Sequence, residues 1–153
     1  VLISVPVHHL YGLGAALIPA LLAGCDVLLL PRSNLLSLND ALRTFRPQVV
    51  YSTPHLIRGL LKRKDTAQAD CRCLVLAGDG IPATLHEQAV RVFHHVHNLY
   101  GSSELGVIAT SPANTPHRLL PLPGVLALPA QPGSARSNLQ IVHPFPATHL
   151  DAG

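Results

Sequence analysis

The chain has 153 residues, 48% of them hydrophobic and only 12% charged, with a formal net charge of +3. That length supports one ordinary domain with a true core, and a charged fraction so far below the roughly 25% of an average domain points to strands buried on both faces, as in parallel α/β sheets. Lys and Arg are scattered apart from the run Arg58 to Lys64, which gives no basic surface of the kind that binds nucleic acid.

In chain order, Leu2 to Val5 predicts a strand that feeds a loop, Pro6 to Gly12. Leu13 to Ala23, rich in Ala and Leu, predicts a helix stopped by Gly24. Val27 to Leu30 predicts a short buried strand closed by Pro31. Ser37, with Asp40 three residues on, is expected to cap a helix running to Phe45. Val49 to Ser52 is the next strand, and Pro54 opens a helix to about Lys64 in which Leu56, Leu60 and Leu61 recur at helical spacing. Cys73 to Leu76 is a further strand, followed by the turn Gly78-Asp79-Gly80. A helix from Ala83 to His94 and a strand from Val96 to Leu99 complete the alternation.

Strands and helices in this order predict a parallel, doubly wound α/β sheet with helices on both faces over residues 1–110. From Ser111 the prolines at 112, 116, 121, 123, 129 and 132 remove any helical period. Residues 111–153 therefore read as a Pro-rich β segment of edge strands and turns, with Leu139 to Val142 its best strand. Val1 to Val5 is apolar from its first residue and Asp151-Ala152-Gly153 reads as a loop, so the chain is expected to be a fragment truncated at both ends. The apolar stretch Leu13 to Leu30 is broken by Pro19, Gly24 and Asp26, which excludes a membrane span. Three cysteines, Cys25, Cys71 and Cys73, form no disulfide framework, so reduced thiols and a cytoplasmic protein are expected.

Ligands in open α/β sheets lie at the carboxyl ends of strands, and three predicted loops there carry suitable chemistry. In Tyr100 to Gly106, glycine admits close backbone approach. The serines offer donors to a phosphate, Glu104 offers a hard oxygen to magnesium, and Tyr100 offers a ring face to a base. A polar turn after a strand has the same composition, and the residues alone do not separate the two readings. In Pro6 to Gly12, the His9 imidazole can donate to a carboxylate or a departing phosphate, or simply tie the loop together. Gly78 to Pro82 is the third.

Tyr100-Gly101-Ser102-Ser103-Glu104 resembles the Tyr-Gly-x-Thr-Glu motif of the adenylate-forming (AMP-binding) ligase superfamily. That superfamily comprises acyl- and aryl-CoA synthetases, peptide-synthetase adenylation domains and luciferase-like enzymes. The resemblance implies that Tyr100 lies against adenine, Gly101 and Ser102 approach the nucleotide, Ser103 contacts the α-phosphate and Glu104 holds Mg2+. Serine stands at 103 where the family usually has threonine, and the hydroxyl is kept. Leu76 to Pro82 is similar to the family's adenine loop, so Gly78, Asp79, Gly80 and Ile81 are expected around the adenine ring. Pro6-Val7-His8-His9-Leu10-Tyr11-Gly12 resembles its Pro-x-x-His-x-x-Gly segment, which implies His9 and Gly12 near the reacting carboxylate. The turn at Thr53 and Pro54 resembles the family's wall of the acyl pocket. Leu120 to Val125, and more loosely Leu139 to Gly153, resemble the approach to an aspartate that binds ribose.

By this resemblance the parent is an ATP-dependent ligase that forms an acyl-adenylate and pyrophosphate, then a thioester with CoA or with the phosphopantetheine of an acyl or peptidyl carrier protein. Leu10, where siderophore-type aryl-acid activators tend to carry asparagine, favours a fatty or simple aromatic acid. The family's phosphate loop, ribose aspartate and late lysine do not occur in these residues. The alternative is a non-catalytic remnant or scaffold that binds nucleotide weakly. Among the ten histidines, His94, His95 and His97 cannot all face one way, which weighs against a metal site. Cys71 and Cys73 read as strand-start packing. No Gly-x-Ser-x-Gly elbow, GxGxxG or GxxxxGK[ST] run occurs.

Overall fold

A computed structural model describes residues 1–31, 33–63, 71–129 and 139–142. Its centre is a seven-stranded sheet in the order β2-β1-β3-β4-β5-β6-β7. β1 (Leu2–Ile3), β2 (Leu28–Leu29), β3 (Val49–Ser52), β4 (Cys73–Leu76) and β5 (His95–Ser102) run parallel to their neighbours. The chain leaves β1 for β2 on one side and then returns to lay β3 on the other. Strand order thus reverses at β1, the arrangement that opens a crevice at the carboxyl ends of an open sheet.

Alternation along each strand sorts side chains into two layers. Leu2, Val50, Leu74 and Val96 are buried with Leu38 and Leu42 of α2 (Leu35–Phe45), Ile57 and Leu60 of α3 (Pro54–Leu61), and Leu85 and Ala89 of α4 (Ala83–Val90). One residue further along, Ile3 and Tyr51 turn to the opposite face, where Val5, Ala16 and Leu17 pack against them. Those last two belong to a helix that begins with π-type winding over Tyr11–Leu17 and continues as α1 (Ile18–Leu22). The sheet is therefore parallel and doubly wound through β5, with helices on both faces, as the sequence predicts.

Beyond β5 the direction reverses. β6 (Gly106–Thr110) pairs antiparallel with β5, and β7 (Leu120–Pro121) antiparallel with β6. β8 (Leu126–Pro129) and β9 (Leu139–Val142) form a separate two-stranded sheet. Pro121 and Pro129 sit in a sheet-edge strand and in this ribbon, where a missing N–H is tolerated. Among the described residues no helix is long and apolar enough to cross a membrane.

Several elements differ from expectation. The first helix starts at Tyr11, not Leu13, and the Ile18 N–H donates to Leu13 O, five residues back. Pro19 has no N–H to offer, so the winding changes at that point. Ser37 is not a helix cap. Asn34, extended at φ −125°, occupies that position and its Oδ1 accepts from Ser37 N at 2.9 Å. Asparagine is at least as good a cap as serine, and Asp40 is simply exposed. α4 ends at Val90 rather than His94; in the turn beyond it Phe93 N donates to Ala89 O (2.7 Å) and Phe93 is fully buried. Tyr100 to Gly106 is not a loop throughout: Tyr100 to Ser102 complete β5 and Gly106 begins β6. α3 ends at Leu61, capped at Lys62, short of the expected end near Lys64; Lys64 itself and the stretch from His143 to Gly153, with its resemblance to a ribose-binding approach, lie outside the described residues.

Candidate functional site

The carboxyl ends of β1, β4 and β5 converge on one cavity of about 460 Å³, within the range of small-molecule sites. His9 and Tyr11 enter it from the segment after β1, Gly78, Asp79 and Gly80 from the turn after β4, and Tyr100 to Ser103 from the end of β5. Leu10, Ala77, Asn98, Leu99, Gly106, Val107 and Leu119 complete the lining.

The segment after β1 is folded tightly on itself. His9 N donates to Pro6 O at 3.2 Å, and Leu13 N donates to His9 O at 2.9 Å. Gly12 is buried against the start of this segment, where an added Cβ would overlap the Pro6 carbonyl. The expected substrate contact at Gly12 therefore lies outside the cavity lining, and its lack of a side chain serves loop closure. His9 is exposed, its ring 4.4 Å from that of His8.

Tyr100 keeps 45% of its surface accessible and presents an aromatic ring to the cavity. A bulge between Tyr100 and Gly101 sets the turn that follows. Ser102 Oγ accepts from Leu105 N at 3.1 Å and its hydroxyl donates to Glu104. The backbone N–H of Glu104, then that hydroxyl, hold its carboxyl below the ordinary value of 4.5, opposed by slight desolvation. Glu104 is fully ionised at neutral pH and exposed.

Ser103 faces this cavity and also a second, adjoining one of about 580 Å³. The second is bounded by Leu10, Pro19, Leu105 and Leu122, with Glu104 at its edge. Its lining is mostly apolar, and Glu104 and Ser103 are its polar side chains.

Other expected site residues stand apart. Ile81 is buried in the core beside Leu85. Thr53 caps α3, its Oγ1 accepting from Leu56 N at 3.4 Å, and Pro54 is fully buried behind it. Neither lines the cavity. Tyr11 and Asn98 line it without having been singled out in the sequence. Asn98 could have been found by strand periodicity, since it stands two residues before Tyr100 in β5, ahead of the bulge.

An exposed aromatic ring and glycine-rich backbone around the first cavity, with the Glu104 carboxylate at the edge of the adjoining one, fit a nucleotide with its divalent cation. One carboxylate is enough for Mg2+, which keeps waters and takes phosphate oxygens as its remaining ligands.

The family model for AMP-binding enzymes matches residues 1–132 of this chain. The 2-succinylbenzoate–CoA ligase of Bacillus velezensis is 26% identical over 103 residues, which are 67% of this chain and 21% of that ligase. Among solved structures, a benzoate CoA ligase from Burkholderia xenovorans superimposes with a TM-score of 0.80 at 24% identity, covering 94% of this chain and 32% of the other. ATP-bound MatB from Rhodopseudomonas palustris gives 0.78 at 21%, covering 94% and 31%. O-succinylbenzoate CoA synthetase from Bacillus subtilis, in complex with ATP and magnesium ion, gives 0.76 at 21%, covering 94% and 32%. The chain thus spans less than a third of each of these proteins.

Proposed function

The chain belongs to the AMP-binding enzyme family, and from that membership we propose that it supplies part of the active site of an ATP-dependent ligase that activates a carboxylic acid. The observation that carries the proposal is the convergence of His9, the Gly78–Gly80 turn and Tyr100–Ser103 on one cavity at the carboxyl ends of three strands. The ATP- and magnesium-bound relatives of the same fold support this reading.

In the proposed reaction a carboxylate oxygen attacks the α-phosphorus of ATP, the bond to the bridging oxygen breaks, and pyrophosphate leaves an acyl-adenylate behind. Most of the protein's contribution is positioning and charge neutralisation. The Tyr100 ring stacks on adenine and the backbone from Gly78 to Gly80 borders it. Ser103, at the junction of the two cavities, donates its hydroxyl to the α-phosphate. His9 donates to the acid's carboxylate and fixes its approach. Glu104 is the protein ligand for Mg2+, which when bound offsets the charge of the phosphates. The thiol of CoA or of a phosphopantetheine carrier then attacks the acyl carbon, the anhydride bond to phosphate breaks, and a thioester forms with release of AMP.

The second cavity, apolar and open to Ser103, supports an acid with a fatty or simple aromatic body. Exchange of pyrophosphate into ATP that depends on added acid tests the proposal, and its loss in Glu104→Ala tests the metal ligand.

A further inference from the structure

Tyr11 sits between the proposed catalytic histidine and the sheet, and its hydroxyl is used in an unusual way. Its oxygen is 2.8 Å from Val75 O in β4 and 3.1 Å from Ser52 O in β3. One phenolic proton therefore serves carbonyls on two neighbouring strands, close to their carboxyl ends. The ring packs beside Tyr51 on the sheet face covered by Ala16 and Leu17, with centroids 6.1 Å apart. Burial, then the neighbouring Tyr51, push the hydroxyl far above its ordinary value of 10.0, so it is a donor at every working pH.

The same residue lines the cavity and opens the π-wound start of the first helix. Only Leu10 separates it from His9. The loop's own bonds, His9 N to Pro6 O and Leu13 N to His9 O, run within the segment. They shape the loop but do not fasten it to β3 or β4. π-type winding is marginal in itself and occurs mostly at functional sites. A half-buried tyrosine clamped at its first residue gives that winding an anchor.

We propose that Tyr11 is a positioning residue: its hydroxyl clasps the ends of β3 and β4 and thereby holds the Pro6–Gly12 loop, and with it His9, at the mouth of the cavity. The catalytic consequence rests on the ligase reading, whereas the clasp itself does not.

The test is Tyr11→Phe in the full-length protein, which removes one oxygen and keeps the ring. By amide hydrogen exchange, Leu13 N–H in the variant is expected to exchange roughly fivefold faster or more, the worth of one hydrogen bond, while Leu76 N–H in β4 is unchanged. Unchanged exchange at Leu13, or equal acceleration at both, overturns the clasp, as does a variant that fails to fold, since the hydroxyl would then serve the whole sheet. In acid-dependent pyrophosphate exchange, Tyr11→Phe is expected to lower the rate by about fivefold. In a His9→Ala background the same change should cost less than about twofold, because the two act through one group. Equal losses in both backgrounds overturn the positioning role. A wild-type protein without acid-dependent exchange refutes the ligase reading, and hydrogen exchange then decides the clasp on its own.

Discussion

Gly101 pairs with Val107 across the β5–β6 hairpin and lies so close to Gly106, which precedes Val107, that a Cβ on Gly101 would overlap the Gly106 carbonyl oxygen. The obstacle is backbone and cannot rotate away. Gly101→Ala is therefore expected to spread the hairpin that carries Tyr100 and Ser103. The cost is on the order of 1–3 kcal/mol, as for overpacking elsewhere. Thermal unfolding and nucleotide titration of the variant check this: a lower melting temperature together with nucleotide affinity weakened by about tenfold or more is expected.

The Glu104 backbone N–H, and after it the Ser102 hydroxyl, keep the Glu104 carboxyl ionised. A carboxyl with a depressed folded pKa adds stability that is present above its unfolded value of 4.5 and is lost as pH falls through the folded value. Any metal dependence through Glu104 should therefore persist as pH falls to 5. Ser102→Ala removes one of the two donors, and NMR titration of the Glu104 side chain should show its midpoint rise. An unmoved midpoint would mean that the hydroxyl plays no part in setting that charge.

His86 Nε2 is buried without a hydrogen-bond partner among the described residues. Desolvation first, then His117, lower its pKa from 6.5, against an opposing pull from Glu87. The unfolded chain therefore binds a proton that the folded chain refuses, and stability declines as pH drops below 6.5. His86→Leu removes the orphaned atom and the titration together. Urea denaturation at pH 7 and pH 5 should show a smaller loss between the two in the variant than in the wild type.

Phe93 is fully buried, while Leu22 keeps 84% of its surface exposed. Phe93→Ala is expected to cost about 3–5 kcal/mol through lost burial and the cavity left behind. Leu22→Ala should stay within about 0.5 kcal/mol of the wild type. Denaturant midpoints of the two variants give the comparison directly.

The parallel sheet was legible because its strands, such as Val49–Ser52 and Cys73–Leu76, are short apolar runs fenced by proline, glycine or polar residues. The antiparallel β6 was not. Val107 to Thr110 follows the motif without a break, and nothing in its composition separates a strand from the tail of a loop. Ser37 drew attention as a cap because serine with an acid three residues on fits the pattern. Asn34 won because a start at Leu35 puts Leu38 and Leu42 in the core.

At the site, His9, Tyr100 and Ser103 were readable as polar or aromatic groups placed just past apolar strands. Tyr11 was not, since its partners are backbone carbonyls 41 and 64 residues away, and main-chain acceptors leave no mark on a sequence. Thr53 and Pro54 resembled a pocket wall; in the structure they form the cap and first turn of α3 and lie outside the cavity lining. A cap and an N-terminal proline are local needs of any helix and carry no information about a ligand.

The most direct test of the account is the exchange of labelled pyrophosphate into ATP by the full-length protein, with and without a panel of fatty and simple aromatic acids, in wild type and Glu104→Ala. Exchange that requires an acid, and that falls on the order of a hundredfold in Glu104→Ala, is the predicted result. Exchange indifferent to any acid, or undiminished in the variant, would contradict the account.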